Sequence, residues 1–141
     1  DYSQDHGEMK RVVNTILQLF DYLPQNSIII AATNQKEMLD EALLRRFDFS
    51  IGFNLPTESE IKELVTLTLK NGNFSFDSKI KANRVIKNSL GLSYYSIQKT
   101  LVTAIKRSLF ALDNPENIIS AKIDTLIWQK LIDIEKDSIG V

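Results

Sequence analysis

Near the start of the chain, apolar residues fall at Met9, Val12, Val13, Ile16, Leu17 and Phe20. Steps of three and four place them on one stripe, so the spacing predicts an amphipathic helix with one buried face. Pro24 and Asn26 mark its stop. Residues 1–8 are polar, contain Gly7 and read as a surface loop before that helix. Ser27-Ile28-Ile29-Ile30-Ala31-Ala32 is continuously apolar and rich in β-branched side chains. Such a run suits a strand covered on both faces, as in a parallel sheet. Residues 36–46 read as a short helix. Phe49, Ile51 and Phe53 then alternate with Ser50, Gly52 and Asn54, the period of a second strand. One α/β layer of this size leaves a sheet face and edge uncovered, so it reads as half of a larger domain.

The remainder has helical periods. Thr57-x-x-Glu60 is a capping-box pattern, with Ile61, Leu64, Val65 and Thr68 lining one face behind it. Asn71-Gly72-Asn73 ends that helix. A second is expected over 78–90, with Ile80, Val85, Ile86 and Leu90 inward, ended by Gly91. Ser93 caps a third, with Ile97, Leu101, Ile105, Leu109 and Leu112 inward, broken at Asn114-Pro115. Asn117-Ile118-Ile119-Ser120 reads as a short extended piece. Asp124 caps a last helix, with Ile127, Trp128, Leu131 and Ile134 inward. Four short helices make a small bundle.

Composition narrows the classes. The 141 residues are 43% hydrophobic, enough for a real core in one domain or two small lobes. Seventeen basic and eighteen acidic residues give a formal charge of −1, which excludes binding nucleic acid by bulk charge. There is no Cys, hence no disulfide framework, Cys-ligated zinc or thiol nucleophile, and the single His6 cannot build a metal cluster; no metal site is expected. No apolar run reaches membrane-span length and DYSQDHGEMK is no signal peptide, so a soluble cytoplasmic protein is the expectation. Residues 1–55 hold eight acids and five bases; residues 56–141 hold ten and twelve. Asn54-Leu55-Pro56-Thr57, where the balance changes, reads as a domain boundary.

Three features could carry chemistry. Asn34 follows the apolar run, and in open α/β sheets ligands bind beyond the C-terminal strand ends; a turn-forming Asn is the plainer reading. Arg45-Arg46 offers two planar cations suited to phosphate oxygens, although adjacent Arg after a short helix are more often solvated charge. Gly91-Leu92-Ser93-Tyr94-Tyr95-Ser96-Ile97 supplies a helix stop and a helix start, with two Tyr that either pack or stack on a base.

Together these residues resemble a known pattern. Ile28-Ile29-Ile30-Ala31-Ala32-Thr33-Asn34, then Leu39-Asp40-Glu41-Ala42-Leu43-Leu44-Arg45-Arg46-Phe47-Asp48, is similar to the second region of homology of AAA-type ATPases. The adjacent Arg resemble the family's meiotic clade. Gly7 to Asn14 resembles the helix before the sensor strand, Leu55-Pro56 the entry to the helical lid, and Gly91-x-Ser93-x-x-Ser96-Ile97 the lid motif G-x-S-x-x-D-I. The implied fold class is an α/β fragment, the C-terminal half of a parallel-sheet nucleotide-binding domain, over 1–55, followed by a small all-α four-helix lid over 56–141.

The resemblance implies roles. Asn34 matches the first sensor residue. Arg45 and Arg46 match arginine fingers that complete a neighbouring subunit's site, which implies a ring, usually a hexamer. Asp5, His6 and Gly7 fall in the second pore loop, which touches a protein substrate. Gly91, Ser93, Tyr94, Tyr95 and Thr68 fall where the lid meets nucleotide; Tyr94 and Tyr95 replace small residues, and Ser96 replaces the usual Asp. ATP with Mg²⁺ is the implied cofactor. No G-x-x-x-x-G-K-[ST] loop and no hydrophobic strand ending in Asp-Glu occurs in the chain, so the chain alone is not expected to hydrolyse ATP. The expected function is protein remodelling by an ATP-driven ring. Two other readings are a non-catalytic helical binding module, and a DNA-handling ATPase such as a helicase loader that uses Lys99, Lys106 and Arg107.

Overall fold

Capping chemistry decides where most of the helices begin. The computed structural model describes residues 2–113 and 121–141, so the expected break at Asn114-Pro115 and extended piece at 117–120 lie outside the described residues. The chain divides into two compact units, Asp1–Gly52 and Phe53–Val141. It is mostly helical with a small two-stranded parallel sheet, in keeping with a short α/β fragment followed by helices. Among the described residues no helix is long and apolar enough to cross a membrane.

The first unit opens with α1, Tyr2–Tyr22. The loop expected over residues 1–8 is therefore corrected from Tyr2 onward: these residues, Asp5, His6 and Gly7 included, continue the helix. Once a downstream stretch has nucleated, adding a turn fixes one residue per hydrogen bond gained, which offsets the helix penalty of Gly7. Val13 is buried and Leu17 and Phe20 half-buried, whereas Met9, Val12 and Ile16 of the same stripe stay exposed.

The two expected strands are also corrected. Ser27–Ala32 and Phe49–Phe53 have no regular secondary structure, and Ile28 and Ile30 are each 90% exposed. A strand is held by its neighbours' hydrogen bonds and covering side chains, and an isolated one is not stable in water. Neither run has a strand partner among the described residues. The helix expected over 36–46 is split into a 3₁₀ turn, Lys36–Met38, and α2, Glu41–Leu44. Asp40 forces the break: it is extended and its carboxylate accepts from Ala42 N–H at 3.0 Å, capping a new helix.

The second unit is built on α3 (Glu58–Gly72), α4 (Lys79–Asn88), α5 (Tyr94–Phe110) and α6 (Thr125–Ile139). The capping box at the start of α3 forms as expected: Thr57 Oγ1 accepts from Glu60 N–H at 3.3 Å and Glu60 Oε2 accepts from Thr57 N–H at 2.8 Å. At its other end Asn73 is left-handed (φ 54°), and Phe74 N–H reaches back to Leu69 O at 2.9 Å, closing the helix with both side chains on the core. Ser78, Ser93 and Asp124 cap α4, α5 and α6.

Two strands of two residues each, β1 (Ser75–Phe76) and β2 (Lys122–Ile123), pair in parallel, Ser75 with Lys122 and Phe76 with Ile123. Their purpose is local. Phe76 stacks on Trp128 with ring centroids 5.2 Å apart. Asp77 then accepts from both Thr125 N–H (3.2 Å) and Thr125 Oγ1 (2.8 Å), tying the start of α6 to the end of β1. Ile61, Leu92, Ile97, Leu101, Trp128 and Ile132 are fully buried at the centre, each contributing about 1.5–3 kcal/mol by removal from water.

In the second unit three positions expected inward are exposed instead: Ile80, Leu90 and Ile134. In α4 the buried residues are Ala82, Val85 and Ile86, continued by Ser89. At 100° per residue Ile80 lies on the opposite side of that face, so hydrophobicity without phase misplaced it. The buried hydroxyls of Ser89, Thr100, Ser108 and Thr125 all have partners, and no described buried side-chain polar atom lacks one.

Candidate functional site

The segment from Thr33 to Phe47 presents the first set of candidates. Thr33 Oγ1 accepts from Gln35 N–H at 3.0 Å, a local turn that leaves Asn34 exposed at a bend. Asp40 starts α2, whose single turn delivers Arg45 and Arg46 at its end. Arg46 N–H bonds to Leu43 O at 3.1 Å, holding the backbone of that turn.

Both guanidiniums stand in solvent. Arg45 Nη2 donates to Glu41 Oε1 at 2.9 Å, with side chains 75% and 78% exposed. Arg46 Nη1 donates to Asp21 Oδ1 at 2.8 Å, with side chains 48% and 61% exposed. Next to this pair, Phe20 and Phe47 meet edge to face, centroids 5.4 Å apart. Adjacent residues of α1 and adjacent residues after α2 therefore make one apolar and one ionic contact, which together set the height of Arg46. An exposed ion pair is worth about 0–1 kcal/mol. Neither carboxylate holds its Arg strongly, and a bidentate phosphate would compete well for both.

The second set lies at the start of α5. Gly91 has φ +92°, a conformation that side chains rarely adopt, and a Cβ there would sit 3.1 Å from Val141 Cγ1. Leu92 is fully buried, which anchors the turn. Ser93 Oγ accepts from Ser96 N–H at 3.1 Å as the helix cap. Ser96 Oγ donates to Glu135 Oε1 at 2.9 Å and Lys99 Nζ to Glu135 Oε2 at 3.2 Å. The Ser96 hydroxyl, then the Lys99 ammonium, hold the Glu135 carboxyl below the usual carboxylate range.

Tyr94 lies within electrostatic reach of Glu60, the acid of the α3 capping box. Thr57 N–H first, then its hydroxyl, and Tyr94 last lower the pKa of Glu60. Desolvation and then the Glu60 charge raise that of Tyr94. Tyr94 is 39% exposed and Tyr95 72%. Thr68 lies eight residues beyond Glu60 on α3, about 12 Å along the axis at 1.5 Å per residue, and its hydroxyl donates to Leu64 O at 2.8 Å within its own helix.

Asp5, His6 and Gly7, expected in a pore loop, fall inside α1. A Cβ built on Gly7 meets nothing within 4 Å. Among the described residues no group of three or more His, Cys, Asp or Glu could hold a metal ion. These residues offer two exposed guanidiniums and an exposed amide. Two partners were missed from the sequence: Asp21 for Arg46 and Glu135 for Ser96. They lie 25 and 39 residues from the groups they touch, beyond any local spacing rule.

Residues 2–55 match the family model of the "ATPase family associated with various cellular activities (AAA)". An uncharacterized AAA family ATPase of Sinorhizobium fredii is 36% identical over 109 residues, covering 75% of this chain and 31% of that protein. The ATP-dependent zinc metalloprotease FtsH of Mycoplasmopsis synoviae is 32% identical over 108 residues, 74% of this chain and 16% of that protein. The spastin homolog of Caenorhabditis elegans is 52% identical over 76 residues, 50% of this chain and 15% of that protein. The chain spans about a third or less of the length of these relatives. No solved structure matches it significantly. The family match spans Asn34, Arg45 and Arg46, and the relatives extend the similarity across most of the chain: it belongs to the AAA family of ATPases, as a fragment of the ATPase module.

Proposed function

We propose that this chain forms the sensor, arginine-finger and lid portions of an ATPase that works as a ring, coupling ATP hydrolysis to the remodelling of a protein substrate. In this reading residues 1–55 belong to the large α/β domain and 56–141 are the lid. Asn34 orients the attacking water beside the γ-phosphate. Arg45 and Arg46 reach into the neighbouring protomer's site and stabilise charge developing on the transferred phosphoryl group. ATP would bring Mg²⁺, which would neutralise phosphate charge; no group of described residues would hold it. Gly91, Ser93, Tyr94, Tyr95 and Thr68 border the base, with Tyr95, 72% exposed, as the stacking group.

The observation that carries the reading is the pair of exposed guanidiniums after α2, within the segment that matches the family, each restrained among the described residues only by an exposed carboxylate. A group meant to finish a neighbour's site must project from its own protomer and release its resting partner at low cost. The experiment is Arg46→Ala in the full-length protein. ATP turnover is expected to fall by about 10³–10⁵, the range for an arginine finger, with binding of a fluorescent ATP analogue retained. Loss of binding with turnover would place Arg46 in its own protomer's site and overturn the finger assignment.

A further inference from the structure

The ten-residue helix α4 carries Lys79, Lys81, Arg84 and Lys87 and no acidic residue. Its buried side is Ala82, Val85, Ile86 and, just beyond the helix, Ser89. At 100° per residue, Ile80, Arg84 and Lys87 fall at i, i+4 and i+7 on the opposite ridge. All three are exposed, Ile80 by 71%. Lys79, Lys81 and Asn83 flank them and are exposed too. Among the described residues none of the four cations takes part in an ion pair. Glu58, a carboxylate near Lys87, is already bound by Lys62 at 2.6 Å.

A helix face kept only for solubility mixes signs and gains i,i+4 pairs, as α3 does with Glu58 and Lys62. Here like charges face each other at Lys81/Arg84 and Arg84/Lys87, which weakens the helix, and an aliphatic side chain stands among them. An anionic partner with one apolar group would relieve the repulsion and cover Ile80 together. A membrane surface is disfavoured because α4 offers it a single apolar side chain, the rest of its apolar face being in the core. Nucleic acid is disfavoured because the face has no aromatic group for a base and the chain is net negative.

We propose that the outer face of α4 is a docking surface for an acidic polypeptide segment that carries one aliphatic anchor, with Arg84 and Lys87 pairing its carboxylates and Ile80 receiving the anchor. This surface is independent of the nucleotide reading above. The probe is a fluorescein-labelled dodecapeptide of Glu and Asp with one central Leu, titrated with the chain by fluorescence anisotropy. Saturable binding is expected, weakened several-fold between 50 and 500 mM NaCl as charges are screened. Reversing both cations, Arg84→Glu with Lys87→Glu, is expected to raise Kd at least about tenfold, and Ile80→Ser about threefold. The matched pair Lys106→Glu with Arg107→Glu on α5 changes net charge equally and is expected to leave Kd within about twofold. All substituted side chains are exposed, and circular dichroism verifies that each variant folds. Absence of saturable binding, equal loss in the α5 pair, or tighter α4-dependent binding of a single-stranded oligonucleotide or phosphatidylserine vesicle each overturns the proposal.

Discussion

Replacing Thr100 by Val removes one hydroxyl from the centre of the second unit and changes little else. Thr100 is 3% exposed; its Oγ1 accepts from Trp128 Nε1 at 3.2 Å and donates to Ile97 O at 2.8 Å. Val has nearly the same shape, so no cavity opens, and Ile97 O keeps its helical role. The indole N–H, however, belongs to a residue that is fully buried and stacked on Phe76, where water cannot replace the lost acceptor. An unsatisfied buried donor costs about 1–3 kcal/mol. With a urea m-value of about 1 kcal/mol/M for a domain of this size, Thr100→Val should lower the unfolding midpoint by about 1 M or more. Trp128 is the single tryptophan, so its fluorescence reports the same event locally while circular dichroism follows the helices. Trp128→Phe removes the donor, at a further packing cost, and the double variant should then lose no more than Trp128→Phe alone. A midpoint shift under about 0.3 M for Thr100→Val, or additive losses in the double variant, would refute the reasoning.

Other perturbations test separate joints of the structure. Gly72→Ala gains about 1 kcal/mol of helix propensity, yet the new Cβ would collide with the Phe74 ring; a net lower melting temperature is expected, and an increase would show that the ring moves freely. For Glu135 the folded pKa is lowered by Ser96 and Lys99, so its stabilisation is present above the unfolded value near 4.3 and is lost as pH falls through the folded one. The stability gap between the native chain and Glu135→Gln should therefore be constant near neutrality and close below about pH 4.3; a gap that widens on acidification contradicts the assignment. Glu60→Ala should lower the melting temperature through the lost capping box, and it should lower the raised Tyr94 pKa only by the Glu60 contribution, the part due to desolvation remaining, measurable by ultraviolet titration.

The parts of the fold legible in sequence are those governed by local chemistry. Thr57 with Glu60, Ser93 and Asp124 each satisfy free N–H groups within three residues, so their caps followed from composition at short range. The buried stripe of α5 did too, since Ile97, Leu101 and Ile105 repeat at helical spacing. Ile28 to Ala32 show the opposite case. Their hydrophobicity states a need to be covered, but pairing depends on other strands, and none among the described residues supplies it. In the same way Gly7 promised a loop, and the hydrogen bonds of a helix already growing behind it prevailed.

The sequence alone determined which residue types stand where: the order Asn34, Arg45, Arg46, and the Gly91–Ser93 turn between two helices. Only the tertiary structure decided what each touches. It gave Arg46 to Asp21, Ser96 to Glu135 and Trp128 to Phe76 and Thr100, and it turned Ile80 outward among cations. The reason is one of range. A cap or a helical stripe is settled within a turn or two of backbone, whereas these contacts join segments that meet only after the whole chain has packed.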